Sequence, residues 1–330
     1  MLLDALRRRM LFVGGKGGVG KTSLASALAL ARARAGERVL VVSTDPAHNL
    51  GHLWRREVGD RPARLAEFGD GGGLDGVLDG VEIDPAATIE RHLAAVEQTM
   101  LRLLPERQHA PARAHLERAR DAPGSHESAV LERIAELAEV GQAEYDAVIF
   151  DTAPSGHTLR LLALPGQLAG WTDTLLRNRD RSERFSAAMR GLTGRSDPQA
   201  DAQADLRRTL QRRRERFDAL QQAISDSQRT GFVVVLTAEA LPVAETLEVV
   251  DSLRAMHVEV AALIANRRSP ADAGELLRER RVAEDAQLGR VRAHAPGVDL
   301  VEIPLVAGEL TGAEALGRLA DLLDTAAIVR

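Results

Sequence analysis

A chain of 330 residues with 45% apolar and 28% charged side chains has the make-up of a folded globular protein, outside the ranges of collagen, coiled coils and disordered chains. Its 43 basic and 48 acidic residues leave a net charge of −5, and aromatics supply only 3%, so neither bulk charge nor ring stacking favours nucleic acid as a partner. Zero cysteines exclude disulfides, Cys-type zinc sites and thiolate capture of metalloids.

MLLDALRRRM at the start carries Asp4 inside its apolar part and no small-residue cleavage site. No run reaches the roughly 18 apolar residues of a membrane span, so a cytoplasmic location is expected. Short β-branched runs at 10–13, 38–43, 145–150, 231–236, 258–264 and 299–303 read as strands. Between and after them, apolar residues at helical spacing predict helices at 21–35, 128–140, 157–164, 243–256, 272–293 and 309–328. This alternation predicts an α/β fold: a mostly parallel sheet flanked by helices.

Two stretches break the alternation. Ile89, Leu93, Val96, Met100 and Leu104 follow one another at steps of four, three, four and four, an amphipathic helix within 86–120. Residues 165–228 form the other. The expected organisation is one domain over 1–330 with a helical subdomain inserted from about 86–125 and 160–228. Gly71, Gly72 and Gly73 mark an exposed connector. From Arg177 to Arg216 there are 12 arginines, set against seven acids when Asp173 is included. Solvated i,i+4 pairing is the preferred reading, with an acidic partner, anionic membrane or nucleic acid as alternatives.

The strongest motif follows the first strand and opens a helix: Gly15 to Thr22 matches G-x-x-x-x-G-K-[ST], a P-loop. Its glycines let backbone N–H groups converge on phosphate, Lys21 reaches the β and γ phosphates, and Thr22 ligates Mg²⁺. Asp45, in the STDPAHNL segment after the second strand, is placed to orient an attacking water, with Asn49 holding that loop. An Asp-Pro turn without function is the bland alternative. Asp151 closes another strand as a Walker B-type carboxylate that holds Mg²⁺ through water. Pro154 and Gly156 after it make a switch loop, and His157 reads as a packing residue rather than a base.

Lys16, the second lysine of the loop, resembles the signature lysine of deviant Walker A ATPases; a solvated lysine is the alternative. The resemblance implies that it crosses a homodimer interface to the partner's nucleotide, where a charge supplied in trans gives roughly 10³- to 10⁵-fold in rate. GGKGGVGKTS, STDPAHNL and DTAPSGHTLRLL together resemble the arsenite-pump (ArsA) and tail-anchored-protein targeting ATPases. Val81-Glu82-Ile83-Asp84-Pro85, Ala122-Pro123-Gly124, Thr237-Ala238-Glu239 with Glu245-Thr246, and Ile303-Pro304-Leu305 with Glu309 and Gly312 extend the likeness along the chain.

That resemblance implies a P-loop NTPase using ATP and Mg. Nucleotide contacts would come from Gly15, Lys16, Gly17, Gly18, Val19, Gly20, Lys21, Thr22, Ser23, Asn49, Asn266 and Pro304. Mg contacts would come from Thr22, Asp45 and Asp151, partly through water. Lys16, Lys21 and Asp45 would be the catalytic set. Asn266 would touch adenine, although spacing alone fits a strand-end turn equally well.

Three roles compete: a targeting or chaperone factor for hydrophobic or transmembrane-segment clients, a pump-driving ATPase for an anion or metalloid, and a DNA-partition ATPase. Either of the first two brings a membrane receptor or pump subunit as partner. The absent cysteines argue against thiolate-bound arsenite and against a zinc clamp. A client groove would draw on Met100, Met189, Leu101, Leu103, Leu104, Leu161, Leu162, Leu164, Leu168, Trp171, Leu175 and Leu176, residues that equally suit the subdomain's own core.

Overall fold

The computed structural model describes residues 6–45, 49–69, 75–103, 106–120, 125–152, 200–326 and 328–329. Nine strands form one sheet: β1 (Met10–Gly15), β2 (Arg38–Ser43), β3 (Ala63–Phe68), β4 (Gly76–Glu82), β5 (Ala147–Asp151), β6 (Thr230–Leu236), β7 (Val260–Arg268), β8 (Leu300–Pro304) and β9 (Ile328–Val329). Their order is β3-β4-β2-β5-β1-β6-β7-β8-β9. β3 and β9 pair antiparallel at the two edges, and every other pairing is parallel. The helices are α1 (Lys21–Arg34), α2 (Asn49–Trp54), α3 (Pro85–Leu103), α4 (His109–Arg120), α5 (Ser125–Glu144), α6 (Ala200–Ser225), α7 (Ala240–Ala255), α8 (Glu275–His294) and α9 (Ala313–Thr325).

Strands buried on both faces explain the continuous apolar runs: Leu11, Phe12 and Val13 of β1, Val39 to Val42 of β2 and Phe232 to Leu236 of β6 are all buried. Phe12 stacks on Phe150 at 4.9 Å and on Phe232 at 6.2 Å, so three rings tie together the strands that carry the phosphate loop and the end of β5. Helix α1 is alanine-rich, and Leu24, Ala25, Ala27, Leu28, Ala29, Leu30 and Ala33 are buried. Small side chains let α1 lie close to its neighbours, and Arg34 donates to Asp321 of α9 at 2.8 Å.

Elements β3, β4, α2 and β7 depart from the sequence reading. β3 and β4 carry Arg64, Glu67, Asp79, Gly80 and Glu82, too polar and glycine-rich to read as strands. Their buried acids are satisfied through space: Asp79 accepts from Tyr145 Oη at 2.9 Å and from Arg64 Nε at 2.7 Å. Residues 49–54, of which Asn49 and Leu50 fall in the STDPAHNL loop of the sequence reading, form α2. β7 runs on through Asn266 to Arg268, past the apolar run that ended at 264.

The chain divides into two compact units, one of 1–83, 137–162 and 223–330 holding the sheet, the other of 84–136 and 163–222. In the second, Arg213 meets Glu132 at 3.0 Å, Arg216 meets Glu136 at 3.3 Å and Arg214 meets Asp218 at 3.4 Å. This part of the arginine stretch is laced to acids. Arg177 to Arg195, Leu161 to Leu176 and Met189 lie outside the described residues, as do the Gly71–Gly73 connector, the 157–164 helix and the side chains of Met100 and Leu103. Among the described residues no helix is long and apolar enough to cross a membrane.

Candidate active site

Register brings the site together. Ser43 of β2 stands opposite both Glu82 of β4 and Asp151 of β5, and Asp151 stands opposite Val13 of β1. The carboxyl ends of four parallel strands therefore form one row, where open α/β sheets bind ligands. Backbone bonds fix it: Thr44 N donates to Asp151 O at 2.9 Å, while Thr152 N and Oγ1 donate to Val13 O at 3.0 and 2.8 Å.

β1 extends beyond this row to Gly15, where a Cβ would stand 2.1 Å from Val235 O, so only glycine lets the strand pass β6 into the loop. Gly17 and Gly18 are exposed on that loop and Val19 is buried. Gly20 precedes α1 in the left-handed region at φ 94°. A Cβ there would stand 2.5 Å from Asn266 Nδ2. No side chain caps this end of α1, which leaves first-turn N–H groups to an anion. Lys21 is buried, and its Nζ donates to Lys16 O at 2.9 Å. Burial lowers its pKa, against the opposing pull of Asp151 and Asp45. Thr22 and Ser23 follow it, half-buried, in the first turn.

Asp151 is 1% exposed and neither carboxylate oxygen makes a hydrogen bond. Burial pushes its pKa up to about 7; the Thr22 hydroxyl, Lys21 and the Ser43 hydroxyl pull it down without bonding it in good geometry, and Asp45 adds to the rise. Two buried, unbonded carboxylate oxygens beside a threonine hydroxyl are the hard oxygen donors that Mg²⁺ takes, so the residues present fit that ion. Asp45 is half-buried and accepts from Asn49 Nδ2 at 3.2 Å, its own N–H pointing to Ser43 Oγ at 3.4 Å. Asn49 is the first residue of α2, not a loop residue. Of the DTAPSGHTLRLL segment, Pro154, Gly156 and His157 lie outside the described residues, as do Pro46 to His48.

Asn266 is buried within β7, and its amide is occupied: Nδ2 donates to Val19 O at 2.8 Å and Oδ1 accepts from Arg267 N at 2.9 Å. It thus braces the phosphate loop from β7, two strands away from β1. Pro304, exposed, ends β8 opposite Arg268, and Leu305 N donates to Arg268 O at 2.9 Å. Lys16 is paired within the same chain, Nζ to Glu245 Oε1 of α7 at 2.9 Å. The sequence reading passed over Glu82 and Glu245 as site residues. Both sit inside quoted matches, but nothing in spacing shows what an isolated glutamate will meet.

Residues 8–325 match the family described as anion-transporting ATPases, the ArsA ATPases. The chain is 30% identical to "ATPase GET3" of Malassezia globosa, over 98% of this chain and 92% of that protein. It is 30% identical to "ATPase ASNA1 homolog" of Trypanosoma cruzi, over 98% and 93%. It is 28% identical to "Putative arsenical pump-driving ATPase 2" of Aquifex aeolicus, over 96% and 99%. The chain belongs to the anion-transporting ATPase family. It is an ATPase, and its mostly parallel sheet is that of a P-loop NTPase. In this ArsA-type ATPase the loop from Gly15 to Thr22 and the acids Asp45 and Asp151 converge at one edge of the sheet.

Proposed function

We propose that the protein is a Mg-dependent ATPase working as a nucleotide-switched homodimer, and that hydrolysis of ATP to ADP and phosphate controls its hold on hydrophobic or membrane-protein clients. The observation that carries the reading is the cluster in which Asp151, buried and unbonded, lies beside Lys21, Thr22 and Asp45. Gly15 to Ser23 surround the phosphates, Lys21 exchanging its bond to Lys16 O for phosphate oxygens. Thr22 and Asp151 would hold the Mg²⁺, Asp151 through water, with Asp45 beside them; when bound, the ion neutralises phosphate charge. Asp45 positions the attacking water and Asn49 holds Asp45 in place. Asn266 and Pro304 contact the adenine. Lys16 of the partner subunit meets the charge that develops on the transferred phosphoryl group.

The inserted segments of about 86–125 and 160–228 then make up a helical subdomain of one ATPase domain, reshaped by the nucleotide state. Names among the relatives support both a GET3-type and a pump-driving role. Lack of cysteine weighs against a metalloid load, and the ion-paired arginines of α6 weigh against DNA. A cytoplasmic factor that engages a membrane receptor is the reading favoured here.

The test is light scattering during size exclusion with ADP or a non-hydrolysable ATP analogue, with and without a synthetic transmembrane helix. A dimer that retains the helix only with the analogue supports the reading. A chain that stays monomeric with the analogue overturns the dimer, and a dimer that never retains the helix overturns the client.

A further inference from the structure

Glu82 takes no part in the chemistry assigned above, yet it is 3% exposed at the carboxyl edge of the sheet, in the register row of Ser43 and Asp151. Its Oε1 accepts two backbone N–H groups, Leu50 at 2.7 Å and Gly51 at 3.1 Å. These are N-terminal amides of α2, which a carboxylate satisfies and which a buried helix end would otherwise leave unmet. Asn49, the residue before Leu50, carries the amide that holds Asp45. Thr44, which precedes Asp45, is held by its bond to Asp151 O, and Leu50, which follows Asn49, by Glu82.

The far end of α2 is fixed as well. Gly312 N donates to Leu53 O at 2.7 Å, and Arg55 Nη2 donates to Thr311 Oγ1 at 2.8 Å. Trp54 Nε1 reaches Ser26 Oγ of α1 at 3.1 Å. Helix α2 is therefore tied to α1 and to the segment that follows Pro304, and Glu82 ties its start to the strand row.

We propose that Glu82 is a positioning residue for hydrolysis, setting the place of the Asp45–Asn49 pair through the first amides of α2. This rests on the reading of Asp45 as the group that orients water. Displacement of a positioned group by about 1 Å costs on the order of 10²-fold in rate. Binding of nucleotide, which rests on the P-loop, is spared.

Steady-state turnover and the affinity for a fluorescent ATP analogue are measured for Glu82→Ala, Glu82→Asp, Glu82→Gln and Asp45→Asn. Glu82→Ala is expected to lower kcat by about 10²-fold with analogue affinity within a few-fold of the parent. Glu82→Gln keeps an oxygen that accepts both N–H groups and recovers most of the loss. Glu82→Asp keeps the charge on a shorter arm and falls between them, which keeps the test open if the alanine variant does not fold. Weakened analogue binding with unchanged kcat, or equal defects in the alanine and glutamine variants, overturns the inference. If Asp45→Asn abolishes turnover while Glu82→Ala and Glu82→Asp do not lower it, the inference alone fails. If Asp45→Asn itself turns over normally, the reading on which it rests fails first.

Discussion

Lys16 Nζ and Glu245 Oε1 stand 2.9 Å apart, an ion pair joining the phosphate loop to α7 of the same chain. Both side chains are about a third exposed, 33% and 35%, and pairs of that kind contribute about 0.2–1 kcal/mol. So small a tether holds Lys16 at home in the single chain and would yield readily to a nucleotide phosphate, as the role in trans proposed above requires.

Lys16→Ala is expected to bind an ATP analogue within a few-fold of the parent while hydrolysis falls at least 10³-fold, the scale of a charge supplied in trans. Glu245→Gln is expected to leave the melting temperature within about 2 °C, consistent with a pair worth 1 kcal/mol or less. Single-turnover assays and thermal melts read both. Full turnover in Lys16→Ala would show a lysine that is merely solvated.

Asp151 gives the pH dependence. Its carboxyl is raised to about 7 by burial, from an ordinary value of 3.8. Between those values the folded, nucleotide-free protein keeps a proton that the unfolded chain has released. Stability from this group is therefore complete below pH 4 and is lost as pH rises to about 7. Asp151→Asn removes the loss, so at pH 8 the variant should melt above the parent, and at pH 5 the gap should narrow. Its ATPase activity should fall by about 10²-fold or more, because the Mg²⁺ that Asp151 would hold is what stabilises transition-state charge. Melting curves from pH 5 to 8 decide it; an asparagine variant less stable at pH 8 contradicts the account.

The P-loop was legible because its function is local: glycines, lysine and threonine sit in one run between a strand and a helix, and the structure sets them there. The buried interior strands were legible as apolar runs. β4 was not, because its acids are satisfied by Tyr145, Arg64 and the start of α2, partners between 15 and 66 residues away. Asn266 was found by resemblance, but its bond to Val19 O spans 247 residues and no periodicity signals it. The extension of β7 through three polar residues escaped for the same reason: pairing with β8, Arg268 opposite Pro304, and not composition, carries the strand on.

Asn266 makes a prediction through Gly20. Asn266→Ala strands the Val19 carbonyl and the Arg267 N–H, at a cost of about 1–3 kcal/mol, and should weaken nucleotide binding as the loop loosens. Gly20→Ala pushes a methyl group against Asn266 Nδ2 and strains a residue at φ 94°. Since the clash vanishes once Asn266 is cut back, the double variant should lose less than the sum of the two. Chemical denaturation of the four proteins measures the coupling; strict additivity would remove Asn266 as a brace of the loop.

Arg268 is the largest fully buried side chain, 2% exposed, and it serves three carboxylates: Glu302 at 2.7 Å, Glu284 and Asp285. Burial pushes the Glu284 carboxyl up, but hydrogen bonds from Ser269 and the charges of Arg280 and Arg268 hold it below its usual range. Its contribution is therefore present above about pH 4.5 and lost as pH falls. Arg268→Met leaves Glu284 and Glu302 without their shared cation, a loss of about 3–5 kcal/mol at neutral pH. Acidification lets the buried Glu284 carboxylate take up a proton, so the deficit should shrink toward pH 5. Arg268→Lys should rescue little, because one ammonium cannot replace a planar fork that meets three acceptors. Arg268 O also holds Leu305 N beside Pro304, so nucleotide affinity should decline together with stability. Melts and analogue titrations at pH 7.5 and 5 test both; a deficit of equal size at the two pH values would mean that the arginine contributes packing rather than charge.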